Sequence, residues 1–432
     1  MDKNLYVSIF CYFFRNSNIL AHILHYLIGS KVIIKIIYDK GGVFVRSKKV
    51  LLTIALLTLL LVTLTACSSG SGGNQGSKDG KEGDIFIAHA GPMTGDSAQF
   101  GDMKTKAIQL AIDEVNEKGG INGKKVVQLI GDDTGNPKEA PNVAQKFAQD
   151  DRVLAVIGHW NSSCTLAARG IYDAAGIPLL ADSVNKALTD GTTPTAYRIS
   201  LTDTAQAEAL AKYAYEKMGK RKAAILYTAN DFGNGLMNNF ATSFEKLGGE
   251  IVAKETYFEG QSKDFSPQLT KIKGTNPDLM FIAGYYVETA LVAQQSKELG
   301  LDVQMLGTEG ISSEELIKLG GDAVEGIVFA GFFHPDVEYP GTKEFVEAFR
   351  AKYNKDPDTY AALAYDSAKL TFSAIEKDGE SREAILKYLD EVEDFPGVAG
   401  PISFDENHDV IRNIVVLTVK DGKIVPAAEQ VD

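Results

Sequence analysis

The sequence predicts an α/β fold made of two doubly wound, parallel-sheet lobes. Three observations carry that expectation. Short apolar runs alternate with amphipathic runs from about residue 84 onward. The apolar runs have strand length, while the amphipathic ones repeat with helical spacing. The alternation also occurs in two successive series, and a βαβ series builds a parallel sheet.

In the first series, residues 85–88 read as a strand, and 102–118 as a helix with apolar residues at 103, 107, 108, 111, 112 and 115, stopped by Gly119-Gly120. Strands follow at 126–130, 154–157 and 178–180, with helices at 138–149 and 163–175. The second series gives helix 204–218, strand 223–227, helix 234–247, strand 250–257, helix 265–273, strand 279–283, helix 287–299 and strand 303–306. Helices near 342–353, 358–377 and 381–390 come next, and strands near 400–404 and 412–419 are expected to complete one or both sheets.

Ahead of this body, Arg46, Lys48 and Lys49 precede an apolar stretch from Val50 that ends in Leu64-Thr65-Ala66-Cys67. That is the layout of a bacterial lipoprotein signal over 45–66, with Cys67 the lipidated first residue of the mature chain. The stretch is short for a span of ~20 apolar residues. Residues 67–83 are rich in Gly and Ser and too polar to bury anything, so they read as a flexible tether. The expected location is the cell membrane, lipid-anchored on the extracytoplasmic face, with a lean toward a Gram-positive surface. Upstream, residues 1–44 read as a spurious or extra N-terminal extension. Lys40-Gly41-Gly42 resembles a translated ribosome-binding site with Val45 as the start, and the alternative is an extra membrane-associating segment.

The whole chain has formal charge −13; without residues 1–66, which hold 8 basic and 2 acidic residues, it is −19. Such a body is soluble and repelled by nucleic acid. Of the 3 cysteines, Cys11 lies in the extension, Cys67 is the lipid site and Cys164 alone remains in the body, so no internal disulfide is expected.

In parallel α/β sheets, ligands sit beyond the carboxyl ends of the strands. The segments there are polar or aromatic: Gly158-His159-Trp160-Asn161-Ser162-Ser163, Ala181-Asp182-Ser183-Val184, Thr228-Ala229-Asn230-Asp231-Phe232-Gly233, Gly284-Tyr285-Tyr286 and Gly307-Thr308-Glu309-Gly310. Each lobe thus offers one wall of a cleft. An enzyme is the competing class. No G-x-G-x-x-G follows the first strand and no G-x-x-x-x-G-K-[ST] occurs. The six histidines, at 22, 25, 89, 159, 334 and 408, form no H-x-x-x-H pair. His159 beside the cleft is a conceivable general base without a nucleophile partner in sequence. No catalytic residue, metal site or cofactor is expected.

The run AHAGPMTGDSAQFGDMKTKAIQLAIDEVNEKGGINGKKV, followed by VIGHWNSS, GIPLLADSVNKALT, DFGNGL, GYYVETA and LGTEG, resembles the leucine/isoleucine/valine-binding proteins that serve ABC importers. The resemblance spans residues 84–425 and implies the type I periplasmic-binding fold, with three hinge crossovers near 202, 333 and 413. Lobe 1 would be 84–202 plus 334–413, and lobe 2 would be 203–333 plus 414–432. The resemblance implies a monomeric receptor that binds a small amino-acid-like ligand by hinge closure and hands it to an ABC permease. It further implies that Ser162 holds the ligand carboxylate, Glu309 the ammonium and Tyr285 its flank, with Trp160, Asn161, Phe100 and Phe232 lining the cleft.

Two positions depart from the family pattern. Val184 stands where a threonine hydroxyl is usual, and Asp182 where a small neutral residue is common. Asp182, if it faces the cleft, would repel a carboxylate and attract an amine. The expected function is an importer receptor for branched-chain or other amino acids. The alternatives are a sensing protein for a receptor or kinase, or an importer receptor for an amide, urea-type or aromatic solute.

Overall fold

A computed structural model describes residues 37–39, 42–44, 81 and 83–430. The lipoprotein signal, Cys67 and nearly all of the tether lie outside the described residues. Ile37–Asp39 and Gly42–Phe44 pair antiparallel as a small hairpin in a unit of its own, residues 1–75. The second unit, residues 76–432, holds both large sheets. Among the described residues no helix is long and apolar enough to cross a membrane.

The first sheet contains β1 (Ile85–Gly91), β2 (Val126–Asp132), β3 (Val153–Ile157), β4 (Leu179–Ala181) and β5 (Ala196–Arg198), in the order β2-β1-β3-β4-β5 and parallel throughout. Its connections are α1 (Ala98–Glu117), α2 (Ala140–Ala148) and α3 (Ser162–Ala174). Every residue of β1 is buried, as a central strand covered on both faces requires.

The second sheet contains β6 (Lys222–Thr228), β7 (Glu250–Tyr257), β8 (Leu279–Ala283), β9 (Gln304–Gly307) and β10 (Val328–Gly331), all parallel in the order β7-β6-β8-β9-β10. Its helices are α4 (Asp203–Lys212), α5 (Asp231–Lys246), α6 (Ser266–Gly274), α7 (Tyr286–Glu298) and α8 (Glu314–Gly320). Helix α4 runs on into a π turn, Tyr213–Lys217, where the sequence pattern implied one uninterrupted helix.

The chain then returns to the first sheet. Helices α9 (Thr342–Tyr353) and α10 (Thr359–Asp378) pack on α1, and α11 (Arg382–Glu391) packs on β3. The tail corrects the sequence expectation in detail. Strand β12 (Gly400–Ile402) joins neither large sheet and forms a hairpin with β11 (Phe395–Gly397). Strand β13 (Val415–Lys420) adds antiparallel to β10, and β14 (Lys423–Pro426) follows it, so the second sheet is mixed at one edge.

Both sheets therefore share one winding pattern, in which the second strand of the series lies outside the first and the third crosses to its other side. The crevice at that switch point, beyond the carboxyl ends of the first and third strands, is where such sheets hold ligands. Here those loops follow β1 and β3 in one sheet and β6 and β8 in the other.

Candidate functional site

Loops from both sheets meet around one small cavity, lined by Trp160, Ser162, Asp182, Val184, Phe232, Tyr285, Glu309 and Tyr360. Seven of these were singled out in the sequence. Trp160 and Ser162 follow β3, Asp182 and Val184 follow β4, Phe232 follows β6, Tyr285 follows β8 and Glu309 follows β9. Two glycines let the loops come this close. A Cβ on Gly158, whose φ is +129°, would run into the Ala90 carbonyl oxygen. A Cβ on Gly310 would lie 2.7 Å from the Gly284 oxygen and 3.1 Å from both Phe232 and Tyr285.

One part of the lining suits an anion. Ser162 is the first residue of α3, so its hydroxyl sits among main-chain N–H groups that have no partner within the helix. Beside it, Ser183 Oγ lies 3.3 Å from Ser162 Oγ, buried like its neighbour. Ser183, next to Val184, is not among the residues lining the cavity, and its hydroxyl donates to that of Ser162.

The part of the lining that comes from the second sheet suits a cation. Glu309 is 2 % exposed and its Oε2 has no hydrogen-bond partner. Burial pushes its carboxyl up to about 8; the charges of Asp182 and Asp203 add to this, while the Gln206 side chain and Glu309's own backbone N–H act in the opposite direction. An ammonium placed there would return Glu309 to its ionised form.

Asp182 corrects the simplest electrostatic expectation. Its Oδ1 lies 2.7 Å from Lys104 Nζ, with both side chains almost fully buried, so the carboxylate is already neutralised on one side. Only Oδ2 is without a partner. Lys104 was missed in the sequence although residues 104, 107, 108 and 111 share one helical face.

Much of the remaining lining is aromatic. Tyr285 stacks on Phe232 with ring centroids 4.9 Å apart and leans on Trp160 at 5.0 Å. Tyr360, in the first turn of α10, meets Trp160 edge-on at 5.6 Å and was not anticipated from the sequence. Phe100 is placed behind this wall, stacked on the far side of Trp160 at 4.3 Å, and is not among the residues lining the cavity. Asn161 is also off the wall: it is the residue preceding α3, and its side chain approaches Gly135 and the Tyr285 hydroxyl.

His159 is fully buried, with Nδ1 2.5 Å from Asp133 Oδ2 and Nε2 2.9 Å from the Tyr172 hydroxyl. Both ring nitrogens are engaged, so it braces the loop that carries Trp160 and Ser162 and does not open onto the cavity as a base.

The two sheet layers touch around the cavity. Ser163 Oγ donates to Asp231 Oδ2 at 2.6 Å, Asn185 Nδ2 donates to the Asp231 carbonyl at 2.9 Å, and the Tyr286 hydroxyl donates to the Asp96 carbonyl at 2.8 Å.

A family model described as periplasmic binding protein matches residues 84–423. The chain belongs to that family. A leucine-, isoleucine-, valine-, threonine- and alanine-binding protein of Pseudomonas aeruginosa is 32 % identical over 330 residues, covering 76 % of this chain and 87 % of that one. Among solved structures, a leucine-binding protein LivK from Thermotoga maritima superposes with a TM-score of 0.76 at 34 % identity, covering 80 % of this chain and 98 % of its own. LivJ of Streptococcus pneumoniae, in complex with isoleucine, gives 0.75 at 34 % identity, covering 81 % and 99 %. A binding protein from Rhodopseudomonas palustris in complex with 3,4-dihydroxybenzoic acid gives 0.72 at 26 % identity, covering 81 % and 98 %. As a periplasmic binding protein, the chain is a solute receptor of the extracytoplasmic kind with the fold the sequence implied.

Proposed function

We propose that this periplasmic binding protein is the receptor of an ABC importer for branched-chain or related neutral amino acids. The observation that carries the reading is the polarity of the cavity. The lining brings together the unpartnered Glu309 Oε2 from one sheet and Ser162, at the start of a helix, from the other. A zwitterion fits that pattern, with its ammonium at Glu309 and its carboxylate at Ser162. Trp160, Val184, Phe232, Tyr285 and Tyr360 offer apolar surface for the side chain to pack against. The similar proteins that bind leucine, isoleucine and valine support this choice. An aromatic acid would suit the ring-lined walls but brings no donor for Glu309, so the amino acid is preferred.

Closure would bring together lobe 1, residues 84–202 plus 334–413, and lobe 2, residues 203–333 plus 414–432, about crossovers near 202, 333 and 413. The passage of the chain between the two sheets at those points supports the division. In this reading the ligand stabilises the closed form and the permease recognises it. The protein works as a monomer, without a catalytic step, held at the membrane by lipid on Cys67. Isothermal titration of the purified protein with the common amino acids tests the reading. Saturable binding of leucine, isoleucine or valine is expected, and indifference to every amino acid would refute it.

A further inference from the structure

We propose that Asp182 makes closure conditional on a ligand ammonium, which bridges Asp182 Oδ2 from the first sheet to Glu309 Oε2 from the second. The site therefore rejects ligands in which a hydroxyl replaces the amine. This deepens the amino-acid reading above and rests on it.

Asp182 follows β4 and is 6 % exposed; Glu309 follows β9 and is 2 % exposed. Each has one buried carboxylate oxygen without a hydrogen-bond partner, and both residues line the same cavity. A buried polar atom left in that state is costly, so the arrangement favours a donor between them. Lys104 does not fill the role: at 1 % exposure and 2.7 Å from Oδ1, it is committed to the other side of Asp182. What it does is hold that carboxylate in place.

Donor counting then sets the selectivity. An ammonium has three N–H groups and serves both oxygens with one to spare, whereas a hydroxyl has one O–H and leaves an oxygen unsatisfied. With no cation present, shutting the cleft brings two carboxyl groups together and drives Glu309 toward its protonated form, a cost that opposes closure and that a ligand ammonium removes. Asp182's charge already contributes to raising the Glu309 carboxyl. The ammonium therefore works as an electrostatic tie between the layers.

The test is titration calorimetry on the full chain with L-leucine and L-valine, each against its 2-hydroxy acid. The wild type is expected to prefer the amino acid by about 100-fold or more. Asp182→Asn is expected to shrink that preference by about tenfold or more. The double variant Lys104→Met with Asp182→Asn guards against a stranded lysine and gives the same narrowed ratio, even where the single variant folds poorly. An unchanged preference in a folded variant overturns the proposal and leaves the amino-acid reading standing. A wild-type protein that binds no amino acid removes both.

Discussion

Ser163 Oγ and Asp231 Oδ2 are 2.6 Å apart, a hydrogen bond between the first turn of α3 on one sheet and the first residue of α5 on the other. The Asp231 N–H donates back to the same hydroxyl at 3.2 Å, and Asn185 holds the Asp231 carbonyl. Under the proposed hinge closure, this clasp forms only when the cleft shuts, and it would stabilise the closed form without touching the cavity.

Replacing Asp231 with Ala should therefore accelerate ligand release and leave capture nearly unchanged. The bond is at the surface, and its loss should cost about 1 kcal/mol, or roughly fivefold in affinity. Stopped-flow fluorescence of Trp160, which is the chain's one tryptophan and lines the cavity, separates the two rates. An equal slowing of capture would mean that the clasp also guides encounter.

Glu309→Gln should weaken amino-acid binding by about 100-fold or more, because a charge-assisted hydrogen bond to a buried ammonium is lost. The same change should raise the melting temperature of the ligand-free protein. The reason is that it removes a buried carboxyl which resists ionisation next to Asp182 and Asp203. Calorimetry and a thermal melt on the same sample check both signs.

The raised Glu309 carboxyl also fixes a pH dependence. In the ligand-free fold the group titrates at about 8, whereas unfolded glutamate titrates near its ordinary value of about 4.3. Between those values the folded chain holds a proton that the unfolded chain has released, so this group's contribution to stability falls as pH rises from about 4.3 to 8. Ligand binding runs the other way. The ammonium needs the ionised carboxylate, so below pH 8 binding should release a proton and affinity should climb toward pH 8. Titration in buffers of different ionisation enthalpy measures that proton, and Glu309→Gln should abolish it.

The proposed attachment through Cys67 is tested in cells. The wild type should take up a labelled fatty acid and a Cys67→Ala variant should not, because Cys67 is the residue expected to carry the lipid. A wild type that takes up no label and stays with the membrane would point to an uncut apolar anchor.

The sequence made the strands legible wherever an apolar run was fully covered, as in β1 and β8, and the switch-point loops with them. It concealed elements whose burial depends on distant partners. Strand β5 carries Arg198, which is fully buried because Asp409 and the carbonyls of Ser183 and Asn185 take up its guanidinium. From composition alone, that arginine marks a loop. Lys104 was hidden for the same reason, since its burial makes sense only beside Asp182. Tyr360 was not singled out, because nothing local shows that α10 begins at the cavity. Phe100 has the opposite history: its residue type suits a cleft wall, yet the fold puts another aromatic in front of it.

That last placement leads to a separable prediction. Phe100 is fully buried, stacked on Trp160 at 4.3 Å and edge-on to Tyr286 at 5.3 Å and Tyr360 at 4.8 Å. Truncation to Ala should cost about 3–5 kcal/mol of stability by leaving a cavity, and should weaken every ligand by a similar factor as Trp160 and Tyr360 lose their backing. Phe100→Leu refills part of the space and should recover most of both losses. The order of preference among leucine, isoleucine and valine should be the same in both variants, since no contact to the ligand side chain has changed. Chemical denaturation with parallel titrations measures each quantity. A reordered preference in Phe100→Leu would return Phe100 to the cleft wall, where its residue type alone had suggested it belonged.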